Sequence, residues 1–405
     1  MNQMAVVPPA LPGSVAFSGN RGEFRRLVTR GALLELITVG FYRFWLATDI
    51  RRHLWSQTAV DDDAFEYTGT GKELLFGFLF ALAIIVPIYL LYFLISVEVA
   101  RLKAFASLPL LAFFYMFGQF AIYRARRYRL TRTIWRGVRF WMTGSGWAYA
   151  ARATLWALLM VLTLGLILPW REAALERYKM RHSWYGDLQG GFEGRGWDFF
   201  KRAWWIWLTA IVVLPLVIFI VPLAQWFPHL RPLTKVVPGV GGLLIPVGTP
   251  FLYAIFKAVE WRWWLAGIRF GEVRLESALR RGALIGLYWK VIGWGLLIVA
   301  LFAAYLFGCA ALVAGINHTP MAKLFAGGNL QGSIPMLVAL GIGYLALILT
   351  MNVVMRVYLL RDLWARVIGS TTVYHIEAAA NVAVAGDVAS ALGEGLADGL
   401  DMAGF

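Results

Sequence analysis

The side chains that could do chemistry are few and scattered. The histidines are His53, His182, His229, His318 and His375, and no two have a ligand spacing such as i, i+4. The single Cys309 lies inside an apolar run, so no intramolecular disulfide is expected. No Ser/His/Asp constellation and no H-E-x-x-H motif occurs. Thr68-Gly-Thr-Gly-Lys72 superficially suggests a phosphate loop, but it lacks the G-x-x-x-x-G-K-[ST] spacing, and Glu73 stands where the hydroxyl should be. The sequence therefore reads as non-enzymatic, with no catalytic residue, cofactor or metal assigned. Asp61-Asp62-Asp63 reads as a solvated turn.

Two ionisable groups stand within apolar runs: Glu35 and Lys290, with Asn352 as an uncharged third. Charges inside a membrane are costly and default to a functional hypothesis. Glu35 has Met160 as its counterpart 125 residues on, which argues against a symmetric transport role. Lys290 could instead snorkel to the interface.

The Arg-x-x-Trp spacing occurs four times, as Arg52/Trp55, Arg132/Trp135, Arg181/Trp184 and Arg361/Trp364. On a helix, i and i+3 are neighbours, and a guanidinium over an indole is attractive. Both groups favour the headgroup layer, so these pairs are expected to anchor the protein at anionic lipid headgroups.

The elements that must position these residues are helices in a bilayer. Hydrophobic residues make up 60% of the chain and charged residues 15%, and the mean hydropathy is +0.65. Soluble domains run about 45–50% apolar and about 25% charged. The net charge of +15 sits at the ends of apolar runs beside Trp and Tyr, which points to lipid and away from nucleic acid. Residues 1–15 lack the basic and apolar regions of a signal peptide. Six firm spans are expected at 74–97, 108–122, 203–223, 240–256, 283–316 and 334–354. No long period-two pattern suggests a barrel, and the fold class expected is all-α.

The chain also repeats itself. Arg52-His53-Leu54-Trp55 returns as Arg181-His182-Ser183-Trp184, and Phe65-Glu66-Tyr67-Thr68-Gly69-Thr70-Gly71 as Phe192-Glu193-Gly194-Arg195-Gly196, with Pro87 echoed by Pro215. Two full membrane units are expected at 16–139 and 140–269, and a partial third at 270–375. A loose start at 1–15 and a mobile Ala/Gly/Asp-rich tail at 376–405 complete the chain. Basic segments at 123–139, 171–202, 257–281 and 356–366 are expected in the cytoplasm. Three hairpins would then dip out and back. The short apolar stretches 32–45 and 155–170, with basic flanks on both sides, would be re-entrant or interfacial; the rival reading is eight conventional spans.

The order Phe17/Gly19, Leu33-Leu34, Thr38/Gly40, Trp45, Arg52-His53/Trp55 and Phe65/Gly69/Gly71 resembles the YjgN-like bacterial inner-membrane proteins. The second copy adds Pro169-Trp170 and His182-Ser183-Trp184-Tyr185-Gly186-Asp187, whereas the first has Phe44-Trp45 in place of Pro-Trp. The likeness covers 16–370. It implies a multi-pass inner-membrane protein of unestablished activity, and it suggests a membrane metallopeptidase as a partner. The expected function is a lipid- or partner-binding scaffold in the phospholipid bilayer. The alternative is a transporter or channel with its path at the repeat interface.

Overall fold

The structure is a computed structural model and describes residues 13–98, 103–316 and 334–388. The expected loose start up to residue 12, the segments 99–102 and 317–333 (with His318) and the end at 389–405 lie outside the described residues.

In chain order the elements are β1 (Val15–Phe17), α1 (Arg21–Ile37), α2 (Arg43–Ser56), β2 (Thr58–Val60), β3 (Asp63–Ala64), β4 (Glu66–Tyr67), α3 (Gly71–Glu98) and α4 (Lys103–Thr131). β5 (Thr133–Trp135), β6 (Val138–Met142), α5 (Gly146–Leu162), α6 (Leu168–Arg181), β7 (Ser183–Tyr185), β8 (Leu188–Phe192), α7 (Gly196–Trp226) and α8 (Leu233–Gly267) follow. The chain continues through β9 (Ile268–Phe270), β10 (Val273–Ser277), α9 (Ile285–Ile316) and α10 (Ile334–Met355). A π-helical segment (Arg356–Asp362), α11 (Leu363–Ile368) and β11 (Thr371–Tyr374) close it.

The fold is mostly helical, but the all-α expectation needs correcting: an antiparallel meander runs β4 to β11, each strand paired with the next in the chain. A second group, β1-β2-β3, continues it, because β3 and β4 are two pieces of one extended run that pair β2 and β5 respectively. The Gly13 amide donates to the Val373 carbonyl at 2.7 Å, so the sheet curls back onto its own start. Val60, Trp135, Tyr185, Val273 and Val373, drawn from strands all round this ring, share one buried cluster with Ala379. The strands are two to five residues long, too short for a period-two signal, and along the meander tight hairpins alternate with partners that lie a helix pair away in sequence.

Local chemistry explains the helix-to-strand steps. A hydroxyl opens each of four strands and donates back to the carbonyl four residues earlier: Thr58 to Leu54 (2.7 Å), Thr133 to Arg129 (2.8 Å), Ser183 to Lys179 (2.9 Å) and Thr371 to Val367 (2.8 Å). The last carbonyls of a helix lack intrahelical partners, and these side chains supply them.

Helices depart from the ring in pairs. α4 packs along α5, α7 along α8 and α9 along α10. Among the described residues, three helical stretches are long and apolar enough to cross a membrane: Gly71–Phe93, Ile285–Ile316 and Leu337–Ile368. The other three expected spans are helical within α4, α7 and α8. The two short apolar stretches are each a helix–turn–helix and not a single helix. The chain reverses at Val39-Gly40 (φ 52° and 87°) and again at Leu164-Gly165 (φ 49° and 82°). In both turns a glycine amide reaches the carbonyl five residues back, Gly40 to Glu35 and Gly165 to Met160, at 2.7 and 2.8 Å.

Two further expectations meet the sheet. The unit boundaries at 139/140 and 269/270 fall inside β6 and β9, strands of one continuous sheet. The chain ends are held where the structure describes them. Val15 is already in β1, Ala379 is buried, and the Ala383 amide bonds Asp187 at 3.1 Å.

Candidate functional site: a charged, indole-lined cavity

Below the ring, where α2, α4, α6, α8 and α11 end, lies a cavity of about 440 Å³. Helical spacing aims its lining inward. On α6, Glu172, Glu176 and Lys179 fall on one face; on α8, Lys257, Glu260, Trp261 and Trp264 do the same. Arg126 and Arg129 come from α4, Trp55 from α2 and Trp364 from α11.

Glu176 is the electrostatic centre. It is only 4% exposed, and it accepts from Arg126 Nη1 at 2.7 Å and from Lys179 Nζ at 2.5 Å. Burial alone would raise its pKa; the two cations outweigh burial and hold it at about 2. Arg126 also reaches Met180 Sδ at 3.1 Å. Glu172 behaves oppositely. Its burial raises the pKa more than Arg171 and Lys179 lower it, and the nearby Glu260 and Glu176 add to the rise. Arg171 bonds Glu172 directly, and Lys257 donates to Glu260 at 2.6 Å.

The apolar wall is indole. Trp55 and Trp364 stack with centroids 5.4 Å apart, and Trp261 meets Trp264 edge-on at 5.4 Å. Trp263 stacks on Phe199 at 4.8 Å and donates to the Arg195 carbonyl at 3.0 Å. Among the described residues, the lining holds carboxylates, cations and indoles but no serine, cysteine or histidine. Such a surface can bind a ligand that has both charge and apolar area. Among the described residues, no group of three or more His, Cys, Asp or Glu side chains is placed to hold a metal ion.

The sequence missed Glu172, Glu176, Lys179, Arg126, Lys257 and Glu260 because they sit in segments read simply as basic. The available signal was a carboxylate pair at i, i+4 and a Lys/Glu pair at i, i+3, interleaved with Trp.

The structure places the expected anchor residues differently. Arg52 Nη2 donates to the Gly69 carbonyl at 2.8 Å, and Arg132 to Glu73 at 2.7 Å. Arg132 lies over Tyr128 (5.1 Å), while Arg136 covers Trp135 (4.5 Å). Arg361 bonds the Gly19 carbonyl and lies over Phe17 at 5.4 Å. Trp184 stacks on Trp141 at 5.5 Å, and Arg181 is exposed. No described Arg-x-x-Trp pair forms the expected cation–π contact within itself. For Trp135 and Trp184 the reason is plain: both stand on strands, while Arg132 and Arg181 sit at the ends of the preceding helices, so the helical i, i+3 neighbour relation is broken between them. Only Trp55 and Trp364 are brought together.

Of the polar candidates within apolar runs, Glu35 pairs with Arg356 at 3.3 Å, joining α1 to the π-helical segment. Asn352 bonds back to the Ile348 carbonyl at 3.2 Å, and Lys290 is exposed on α9. None of the three lines the cavity. His53 stands 5.6 Å from the Phe24 ring, and its pKa is lowered by burial, with Glu23 opposing and Arg361 adding to the shift. His182 Nδ1 lies 2.7 Å from the Tyr178 carbonyl.

Residues 12–399 match the model of the family described as a bacterial protein of unknown function (DUF898), and the chain belongs to that YjgN-like family. No curated protein and no solved structure matches it.

Proposed function

We propose that this family member is a multi-pass protein of the bacterial inner membrane and a non-enzymatic binding protein. Its strand ring faces the cytoplasm, and its ligand occupies the cavity beneath the ring. The ligand class is an amphipathic molecule, with a compact charged group for the Arg126–Glu176–Lys179 cluster and an apolar body for the indoles.

The membrane reading rests on six helices in three hairpins: α3/α4, α7/α8 and α9/α10. Two shorter wedges, α1/α2 and α5/α6, enter the same leaflet from the ring side. Their tips support this, since Val39, Val161, Leu162 and Leu164 are 76–88% exposed. One sheet joins strands that adjoin all four basic segments, so those segments share one side. An excess of Lys and Arg on one side argues for the cytoplasm.

Duplication is supported by geometry recurring 125 residues apart. A Cβ on Gly71 would lie 2.8 Å from Trp45 Cα, and one on Gly196 2.8 Å from Trp170 Cα. Arg52 donates to the Gly69 carbonyl, and Arg177 to the Gly194 carbonyl. In this register Arg52 answers to Arg177. The Arg-His-x-Trp likeness, which pairs Arg52 with Arg181, sits about one helical turn out of step.

The observation that carries binding is the convergence of charge pairs and indoles from five elements on one cavity. The cavity's charges lie within a few turns of the ring, on one side of the long apolar helices, which favours binding at one face over passage. Transport is the second reading, supported by the position of the cavity where the helix pairs converge.

The test is native mass spectrometry of the full chain in nanodiscs, with Trp264→Ala and Lys257→Met as variants. A co-purifying small molecule lost from variants of unchanged melting temperature supports the binding site. Retention of that molecule in both variants contradicts it. Solute flux through liposomes that the same variants abolish would replace binding by transport.

A further inference from the structure

The α5/α6 wedge carries a second feature, separate from the cavity. An open hollow of about 510 Å³ is lined by Arg152, Ala174, Arg177, Tyr178, Arg181 and His182. Three guanidinium groups and an imidazole thus meet with no carboxylate in the lining. Arg152 lies over the Tyr178 ring at 4.3 Å, and Arg177 Nη2 donates to the Gly194 carbonyl at 3.3 Å. Arg152, Arg177 and Arg181 are exposed.

The hollow stands at a definite height on the wedge. Ten residues of α5 separate Arg152 from the exposed tip residue Leu162. At 1.5 Å per residue that is roughly 15 Å, half of a hydrocarbon core that is about 30 Å thick. A wedge whose tip reaches the midplane therefore sets Arg152 at the boundary between acyl chains and headgroups.

The matching hollow on the α1/α2 wedge serves as an internal control. It is of similar size, but Asp49 and Glu66 line it beside Arg52 and His53. Arg52 Nη1 is 4.0 Å from Asp49. Two carboxylates face one guanidinium there, so the two wedges differ in the charge they offer at the same depth.

We propose that the Arg152–Arg177–Arg181 hollow binds the phosphate of an anionic phospholipid headgroup in the cytoplasmic leaflet. Guanidinium forks match phosphate oxygens bidentately, and Tyr178 packs beneath one of them. The proposal rests on the membrane reading above, because the wedge must be inserted for the hollow to meet headgroups.

The test uses the full chain in nanodiscs of phosphatidylcholine doped with phosphatidylglycerol. Native mass spectrometry reads the lipid ratio that stays bound. The wild type should retain phosphatidylglycerol above its bulk share, and Arg152→Gln with Arg181→Gln should return the ratio to bulk. Arg177 is left intact because it holds Gly194. Arg280→Gln with Arg281→Gln removes the same charge from an exposed loop elsewhere and should leave the enrichment in place. Equal loss in both double variants, or none in the first, overturns the proposal. Loss of enrichment on adding inorganic phosphate would also overturn it, by assigning the site to the free ion. A fluorophore on Val161→Cys, in a Cys309→Ala background, should be quenched by lipids brominated on their acyl chains. Quenching with no enrichment refutes the headgroup site alone; absence of quenching refutes the inserted wedge as well.

Discussion

The indoles of Trp55 and Trp364 stack at 5.4 Å with 17° between their planes, and each donates to a threonine that opens a strand. Trp55 reaches Thr133 Oγ1 and Trp364 reaches Thr58 Oγ1, both at 2.9 Å. Each threonine meanwhile donates to its own helix. Helices near the two ends of the chain are thereby joined at the wall of the cavity. Trp364→Phe keeps an aromatic face and loses one hydrogen bond, with Thr58 still bonded to Leu54. Its cost should be about 1 kcal/mol, read as a modest fall in melting temperature in nanodiscs. Trp364→Ala also removes the stack and should cost distinctly more.

The Arg126–Glu176 pair should be far more sensitive. Removing Glu176 leaves Arg126 and Lys179 without their carboxylate, and removing Arg126 leaves Glu176 with Lys179 alone, a loss of up to about 3–5 kcal/mol. Glu176→Gln or Arg126→Met should therefore destabilise strongly, and the double Met variant should recover part of the loss. The pH dependence follows from the sign of the shift. Glu176 has a folded pKa of about 2, below its ordinary 4.5. Its contribution is complete above the ordinary value and disappears as pH falls from about 4.5 towards about 2. Acid titration of wild type and Glu176→Gln should converge over that window.

Gly71 and Gly196 are required for close approach. An added Cβ meets Trp45 or Trp170 backbone at 2.8 Å, and backbone cannot swing aside. Gly71→Ala and Gly196→Ala should each cost about 1–3 kcal/mol. Gly293 on α9 has nothing within 4 Å, so Gly293→Ala should be neutral or slightly stabilising. Thermal unfolding of the three variants compares them directly.

Glu35 is expected to serve structure, through Arg356. The pair is about one-fifth exposed on both sides, so its worth is limited by solvent. Glu35→Gln should cost about 1 kcal/mol or less, and exchanging the two charges should restore most of it. A large, unrescued loss of ligand binding would instead make Glu35 functional.

The long helices were legible because 20-residue apolar runs have few alternatives. The wedges were half legible. The segments 32–45 and 155–170 stood out as short apolar stretches, but the reversal at Val39-Gly40 and Leu164-Gly165 depends on positive φ at a valine and a leucine. The ring was not legible. Segments as short as Thr133–Trp135 take their strand identity from partners, and the Gly13–Val373 contact joins opposite ends of the chain. The cavity was missed for a related reason: charges read one segment at a time looked like loop cations, and their carboxylate partners emerge only when α4, α6 and α8 converge. Around Arg181 residue likeness and geometry disagree by four positions: Arg177, not Arg181, meets the Gly194 carbonyl as Arg52 meets that of Gly69.

One labelling experiment tests the central claim that the whole ring lies on the cytoplasmic side. Single cysteines at Asp62, Arg136, Asp187 and Glu272, all exposed at turns of the ring, are placed in a Cys309→Ala background. They are challenged with a membrane-impermeant maleimide in intact and permeabilised cells. All four should resist labelling in intact cells with an opened outer membrane and react once the inner membrane is permeabilised. Labelling of any one of them from the periplasm would contradict the account.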